Sequence, residues 1–524
     1  MPVSLRNLST NLAFLTLIVV LNSCNPGLPE NADAIGRLPS IQPDYLNVTI
    51  PPNVAPMNFF IGENARKFIV SVKVEGGENE LVLESADGSV CFPEKKWKKT
   101  LEKAKGKKLE ISVYANDRKE GGYSAYDTFN MYVSEDKIDP YIAYRLIHPG
   151  YYSWSNIRIK QRSVESFKEE SIFENQVMEK NCANCHSFNN ASPDRFMIHI
   201  RGSLGGTYFV ENKEITKVDP KIDAMPGGAT YPVWHPGGRF LSYSSNQVRQ
   251  AFYSVPSKVI EVFDLVSSVI LYDRINNETF TITGSDTIKY LETFPSWSPD
   301  GNYLYYCRAR QVINTEEPEL EQIMNTRYDL VRRQFNEEKR TFGDAELVFD
   351  ASGKGKSASF PRISPDGRYL VFTLHDYGTF PIWHREADLW ILDLERGTAE
   401  KMTINSTETE SYHTWSTNGR WMVFSSKRID GRSARPHFVH IGADGKQSKE
   451  FVLPQKDPLH YDTMLESFNI PEFVTGKIKI GPRDLAKASG KPVSPAKPGV
   501  SADSLPAIKA PGLKVKETDR PIHQ

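Results

Sequence analysis

The sequence predicts an all-β chain, an immunoglobulin-like β-sandwich followed by a β-propeller of about six blades. Three observations carry the prediction. Between 231 and 424 four segments repeat one another, each an aromatic followed by a Trp or Ile, a Pro-Asp-Gly-like turn and an alternating strand. Between 68 and 133 short alternating runs are separated by glycine turns. Apart from one apolar stretch at the N-terminus, no run approaches the ~20 apolar residues of a membrane-spanning helix.

In chain order, residues 1–23 read as a signal peptide. Arg6 supplies a short positive region and Leu12 to Leu21 an apolar run of about ten residues, too short to span a bilayer. The run ends in Leu21-Asn22-Ser23-Cys24, which resembles a bacterial lipobox with Cys24 as the lipidated residue. A plain membrane anchor or a cleaved peptide with an incidental cysteine is the alternative. Residues 24–43 carry Pro26, Pro29, Pro39 and Pro43 and are expected to form a tether. Residues 44–140 are the expected sandwich. In Phe68-Ile-Val-Ser-Val-Lys-Val74 alternate residues share a face, and Glu80–Glu84, Leu109–Tyr114 and Thr128–Val133 read as further strands. The basic stretch Lys95–Lys108 with Trp97 predicts a short helix with a solvated face.

Residues 141–475 are the expected propeller. Its repeats are Tyr231-Pro-Val-Trp-His-Pro-Gly-Gly, Phe294-Pro-Ser-Trp-Ser-Pro-Asp-Gly, Phe360-Pro-Arg-Ile-Ser-Pro-Asp-Gly and Tyr412-His-Thr-Trp-Ser-Thr-Asn-Gly. Their glycines recur every 50–65 residues or so, a blade-like period. Each turn joins two strands into a hairpin that stacks on its neighbours. The charged stretch 311–343 interrupts the third repeat and is expected to be a partly helical insertion. Residues 476–524 count ten Lys or Arg against four Asp or Glu and are expected to be a disordered basic tail.

The chemistry concentrates at 175–205. Cys182 and Cys185 flank two residues and His186 follows at once, the spacing at which two thiols add to the vinyl groups of one haem while the histidine ligates its iron. A redox C-x-x-C pair, half of a zinc site and chance are the competing readings. No second C-x-x-C or H-x3-H pair completes a zinc site, and a thioredoxin-like motif should open a helix. In Phe196-Met-Ile-His-Ile-Arg201 the alternation puts Met197, His199 and Arg201 on one face. His199 is the preferred sixth ligand over Met197, Arg201 is placed for a haem propionate, and His148 and Met225 stand in reserve. His235, His375, His384, His413, His437, His440 and His460 read as scattered loop residues. Cys91 and Cys307 read as buried thiols. No catalytic residue is assigned.

The lipobox, the β domain, the C-x-x-C-H segment and the Pro-Asp-Gly hairpins together resemble a family of Bacteroidetes envelope lipoproteins with a c-type haem motif and a TolB-like β-propeller. The resemblance implies a lipid-anchored protein of the cell envelope, at the outer membrane, with one covalent haem c inserted in the propeller. It also implies a redox or envelope partner docked on the blades. Electron transfer is the expected function, an envelope scaffold with a structural or sensory haem the alternative, and a haem enzyme with an open iron a third. A formal net charge of −1 over 524 residues gives no field for nucleic acid.

Overall fold

In the computed structural model the described residues are 27–116, 122–149, 156–255, 258–282 and 289–499. The signal segment with Cys24 and the tail beyond 499 therefore lie outside them. Among the described residues no helix is long and apolar enough to cross a membrane.

The N-terminal unit has two sheets. In the larger, Phe68–Val74 pairs with Asn79–Ser85 and Lys108–Ala115, and Phe129–Val133 pairs with Lys108–Ala115 and Val48–Ile50. The smaller joins Ile41–Gln42, Phe59–Ile61 and Ser89–Val90. Phe68, Val70, Val72 and Val74 are buried in the shared core. The basic stretch forms the helix Glu94–Ala104, which buries Trp97 and Leu101 and leaves its lysines in water. The indole of Trp97 donates to the Val54 carbonyl at 3.2 Å. Two expectations fail here. Ala32–Ala34 and Ile41–Gln42 fall in the predicted tether yet join the sheets, because backbone pairing at a sheet edge needs no apolar run. Cys91 is exposed, not buried.

The rest is a β-propeller. Six antiparallel sheets follow one another among the described residues. The innermost strands are Cys182–Phe188 (blade 1), Ala229–Trp234 (blade 2), Tyr290–Trp297 (blade 3), Ser357–Ile363 (blade 4), Glu410–Trp415 (blade 5) and Ser467–Val474 (blade 6). Each lies against the innermost strand of the next, and the last lies against the first, so the ring is closed. Blade 6 makes the closure. Its outer strands Tyr141–Ile147, Arg158–Ser163 and Glu169–Glu174 precede blade 1, whereas its inner strand comes from the far end of the propeller.

The repeated turns work as their composition requires. Gly301 and Gly367 take φ near +76° and +77°, a region open to glycine. Asp300 and Asp366 accept backbone N–H groups of Asn302 and Arg368, which tightens each turn. The aromatic that opens each repeat has a second role. Tyr231, Phe294, Phe360 and Tyr412 all have positive φ, as does Ile470, and each marks a register shift in its strand. The bulges aim these rings at one another, with centroids 4.6 Å apart for Tyr231–Phe294, 4.2 Å for Phe294–Phe360 and 4.7 Å for Phe360–Tyr412. They form an aromatic plug where the inner strands meet.

Two features extend beyond the blades. Phe240–Val255 and Lys258–Asp273 pair along their length into an arm, whose Ile260 and Val262 pack on Phe380 and Trp383. The insertion in blade 3 carries the helix Leu320–Asn325, with Ile323 buried against Phe263 and Leu265 of the arm. The tail expectation is corrected for 476–499. Helix Pro482–Ser489 buries Leu485 and Ala488, and Ser494–Pro495 and Lys497–Pro498 add parallel edges to blades 1 and 2. A polar composition hid one apolar helix face and two strand edges that need only backbone partners.

Candidate functional site

The C-x-x-C-H motif lies on the inner strand of blade 1. Cys182 and Cys185 are 5% and 3% exposed and His186 is 2% exposed. A register shift between Ala183 and Cys185 bulges the strand inside the motif, matching the bulges of the other blades. Cys182 pairs with Arg201, Cys185 with His199 and His186 with Ile198. Successive residues of an extended strand point to opposite faces, so Cys185 shares a face with His199 and His186 shares one with Ile198. His186 turns toward blade 6, where its Nε2 lies 3.9 Å from Glu472 Oε1.

His186 is the anomaly of the site. Both of its ring nitrogens are buried and neither makes a hydrogen bond of good geometry, the Ile470 backbone being the polar group that approaches the ring. Burial, with the nearby Arg145 charge, pulls its titration down to about 3. Burial pushes Glu472 up to about 8, although the Phe188 N–H donates to it at 3.3 Å. Near neutrality the contact is thus between an uncharged ring and a carboxyl that keeps its proton. Leaving such polar atoms buried and unpaired costs roughly 1–3 kcal/mol each, which a ligand on the ring would offset.

The thiols differ from those of a redox pair. Burial raises both Cys182 and Cys185, with Arg145 and Arg201 opposing it in each case. An attacking C-x-x-C thiol needs the reverse shift. Among the described residues no three His, Cys, Asp or Glu side chains converge as a metal-ion site.

Across the strand, His199 accepts or donates through Nδ1 to Thr207 Oγ1 at 3.0 Å, a bond that fixes the ring's orientation. Burial, with Arg201, holds His199 down to about 3. Met197 is fully buried in the apolar cluster with Phe209 and Trp234, and Met225 belongs to that cluster too. The strand pair gathers two buried thiols, an imidazole on the blade 6 face, a second on the opposite face oriented by Thr207, and two guanidiniums whose charge reaches both thiols; one haem could take the thiols and one of the two imidazoles, not both. Arg145, which lies on Tyr141–Ile147 far from the motif in sequence, also donates to the Ala183 carbonyl at 3.4 Å.

Most of the remaining histidines are buried in or beside strands instead of scattered in loops. His413 bonds the Val371 carbonyl at 2.8 Å, His375 the Ser359 hydroxyl at 2.9 Å and His235 the Gly301 carbonyl at 3.2 Å. His384 lies between Glu261 and Glu386, at 3.1 and 3.0 Å. His148 lines a largely apolar cleft at the channel mouth, together with Tyr412 and Asn469.

No family model and no curated protein matches the chain. Among solved structures it is similar to a Kuenenia stuttgartiensis hydrazine synthase chain at 13% identity and a TM-score of 0.30, over 51% of this chain and 65% of that one. It is similar to a chain of the nidogen/laminin complex at 9% identity and a TM-score of 0.35, over 64% of this chain and all of that one. The Dos1 propeller matches at 12% identity and a TM-score of 0.30, over 52% of this chain and 63% of that one. These likenesses concern the fold alone, and the chain spans about two thirds of the hydrazine synthase and Dos1 chains.

Proposed function

We propose that this chain is a c-type haem protein of the bacterial envelope, tethered by lipid on Cys24, which exchanges electrons with a partner docked on a TolB-type propeller. The N-terminal sheets then serve as an immunoglobulin-like docking module. The observation behind the proposal is His186, a neutral imidazole in a dry interior with neither nitrogen in a hydrogen bond of good geometry. Bound there, a haem supplies one-electron redox chemistry. Cys182 and Cys185 would hold it covalently; His186 and His199 lie on opposite faces of the strand pair, so one of them, not both, would ligate the iron, and Thr207 orients His199. Arg201 and Arg145 supply positive charge for propionates. Because both thiols are buried in the closed ring, attachment precedes the docking of Ser467–Val474, the last of the inner strands to be synthesised.

The test is attachment itself. Protein exported alongside a c-type maturation system should keep its haem through denaturing electrophoresis, and Cys182→Ala with Cys185→Ala should abolish the haem band. A double variant that retained it would overturn the assignment. Cys24→Ala should release the protein from the membrane fraction, and unchanged retention would exclude the lipid tether. The enclosure of the thiols also supports a second reading, a scaffold whose haem is structural; there, loss of haem lowers the melting temperature while a bound partner reduces nothing.

A further inference from the structure

Lys427 follows the second strand of blade 5, Trp421–Ser426, and is one of the residues lining the apolar cleft at the channel mouth. It is 3% exposed. Its Nζ is buried, has no hydrogen-bond partner, and lies 3.2 Å from the ring centre of Trp383. Two other polar atoms of the same lining are in the same condition, the Tyr412 hydroxyl and Asn469 Oδ1. The surrounding wall is built from Phe252 and Ile260 of the arm and from Trp383. Three unpaired polar groups of different kinds on one apolar cleft are the arrangement of a small-molecule site, where a few placed polar atoms fix a mostly apolar ligand. Structural burial would have supplied them with partners.

The state of the amine narrows the ligand. Burial drives Lys427 far below the ordinary lysine range, and the charges of Asp430 and Glu408 only partly oppose this. Enclosure of the amine in an apolar wall favours its unprotonated form, the form that is a nucleophile toward carbonyl carbon.

We propose that the cleft captures a small aldehyde or ketone with an apolar body, held by Lys427 as a Schiff base. The Nζ lone pair attacks the carbonyl carbon, and a proton passes from nitrogen to oxygen to give a carbinolamine. Loss of water then forms the C=N bond, so amine and carbonyl become imine and one water, with no change of oxidation state. Tyr412 is the donor for the carbonyl oxygen, and Asn469 Oδ1 the acceptor for the carbinolamine. The site is independent of the haem assignment, since none of its three polar groups belongs to the motif.

The test uses the full chain, hexanal as the probe and cyanoborohydride to trap the imine as a secondary amine, with peptide mapping by mass spectrometry. One hexyl group per chain should appear on Lys427 before any surface lysine reacts. With imine formation followed directly, the rate at Lys427 should depend on pH less steeply from pH 7 to 9 than that of the solvent lysines. Lys427→Met should remove the early adduct. Should that variant not fold, the pH profile of Lys427 in the unaltered chain decides alone. Label spread over surface lysines without preference, or a Lys427 rate that climbs with pH like theirs, would overturn the proposal.

Discussion

An imidazole buried without a good hydrogen bond is costly, and at position 186 the cost falls on a side chain next to a thiol. That neighbourhood gives the first prediction. With haem attached, only one of His186→Ala and His199→Ala should change the ferric spectrum, because the two rings lie on opposite faces of the strand pair. Met197→Leu should leave the spectrum unchanged and cost less than about 1.5 kcal/mol, since it swaps similar volumes in a packed cluster. If His186→Ala leaves the spectrum alone, His199 holds the iron on the face that Cys185 shares, and the ligand is not the residue the motif nominates. Absence of a red charge-transfer band in the unaltered protein would exclude the Met197 sulfur. At this scale the motif was legible in the sequence because its spacing is fixed by chemistry. Arg145 and Lys427 were not, because each owes its character to burial among residues distant in the chain.

Among the elements, the arm of blade 2 is fastened by charge. His384 bonds Glu261 through Nε2 and Glu386 through Nδ1, and Glu261 also pairs with Lys258 at 2.6 Å. Burial pulls His384 down, but the bonds to the two carboxylates more than offset it and its titration is raised. Burial pushes Glu386 up, but the bond to His384, the histidine's charge and backbone hydrogen bonds together outweigh it and hold the carboxyl down to about 2. The sign follows from linkage. The raised histidine contributes fully below its unfolded value of about 6.5 and less as pH climbs through its folded one. The depressed carboxylates contribute above about 4.3 and lose their share as pH falls through their folded values. The clasp should therefore be tightest between about pH 4.5 and 6.5. Hydrogen exchange of residues 258–264 should quicken from pH 6 to 9 beyond the intrinsic pH effect, and His384→Ala should flatten that excess while costing about 3 kcal/mol. An exchange profile identical in the variant would remove the clasp. The arm was half legible. Val259–Leu265 is strand-like in composition, but its continuation to Asp273 depends on a partner strand that periodicity cannot see. The same holds for the bulged aromatics, which looked like core residues of a hairpin and instead converge on the channel.

For the whole molecule, closure is the decisive event. The repeats at 231–424 were visible because blades 2 to 5 share one turn, whereas the make-up of blade 6 was not, since its strands come from opposite ends of the propeller and share no repeat. Tyr141–Ile147 is held on one side by Arg158–Ser163 and on the other by Ser467–Val474, and Phe468, Phe473 and Val474 are buried in two different clusters. Ending the chain after Glu466 removes all three side chains and leaves Tyr141–Ile147 with one bare edge beside the motif strand. That truncation should give no cooperative melt and no retained haem. Ending it after Gly481 removes only the helix Pro482–Ser489 and the strand edges beyond it, so the ring stays closed. The propeller should then melt cooperatively, a few degrees lower. Leu485→Ala isolates the helix's share: the residue is fully buried against Ile478 and Ile480, so the loss should be about 2–4 kcal/mol, read from denaturant midpoints. A Glu466 truncation that melted like the full chain would mean the blades hold together without the last strand, and the order of haem attachment before closure would lose its reason.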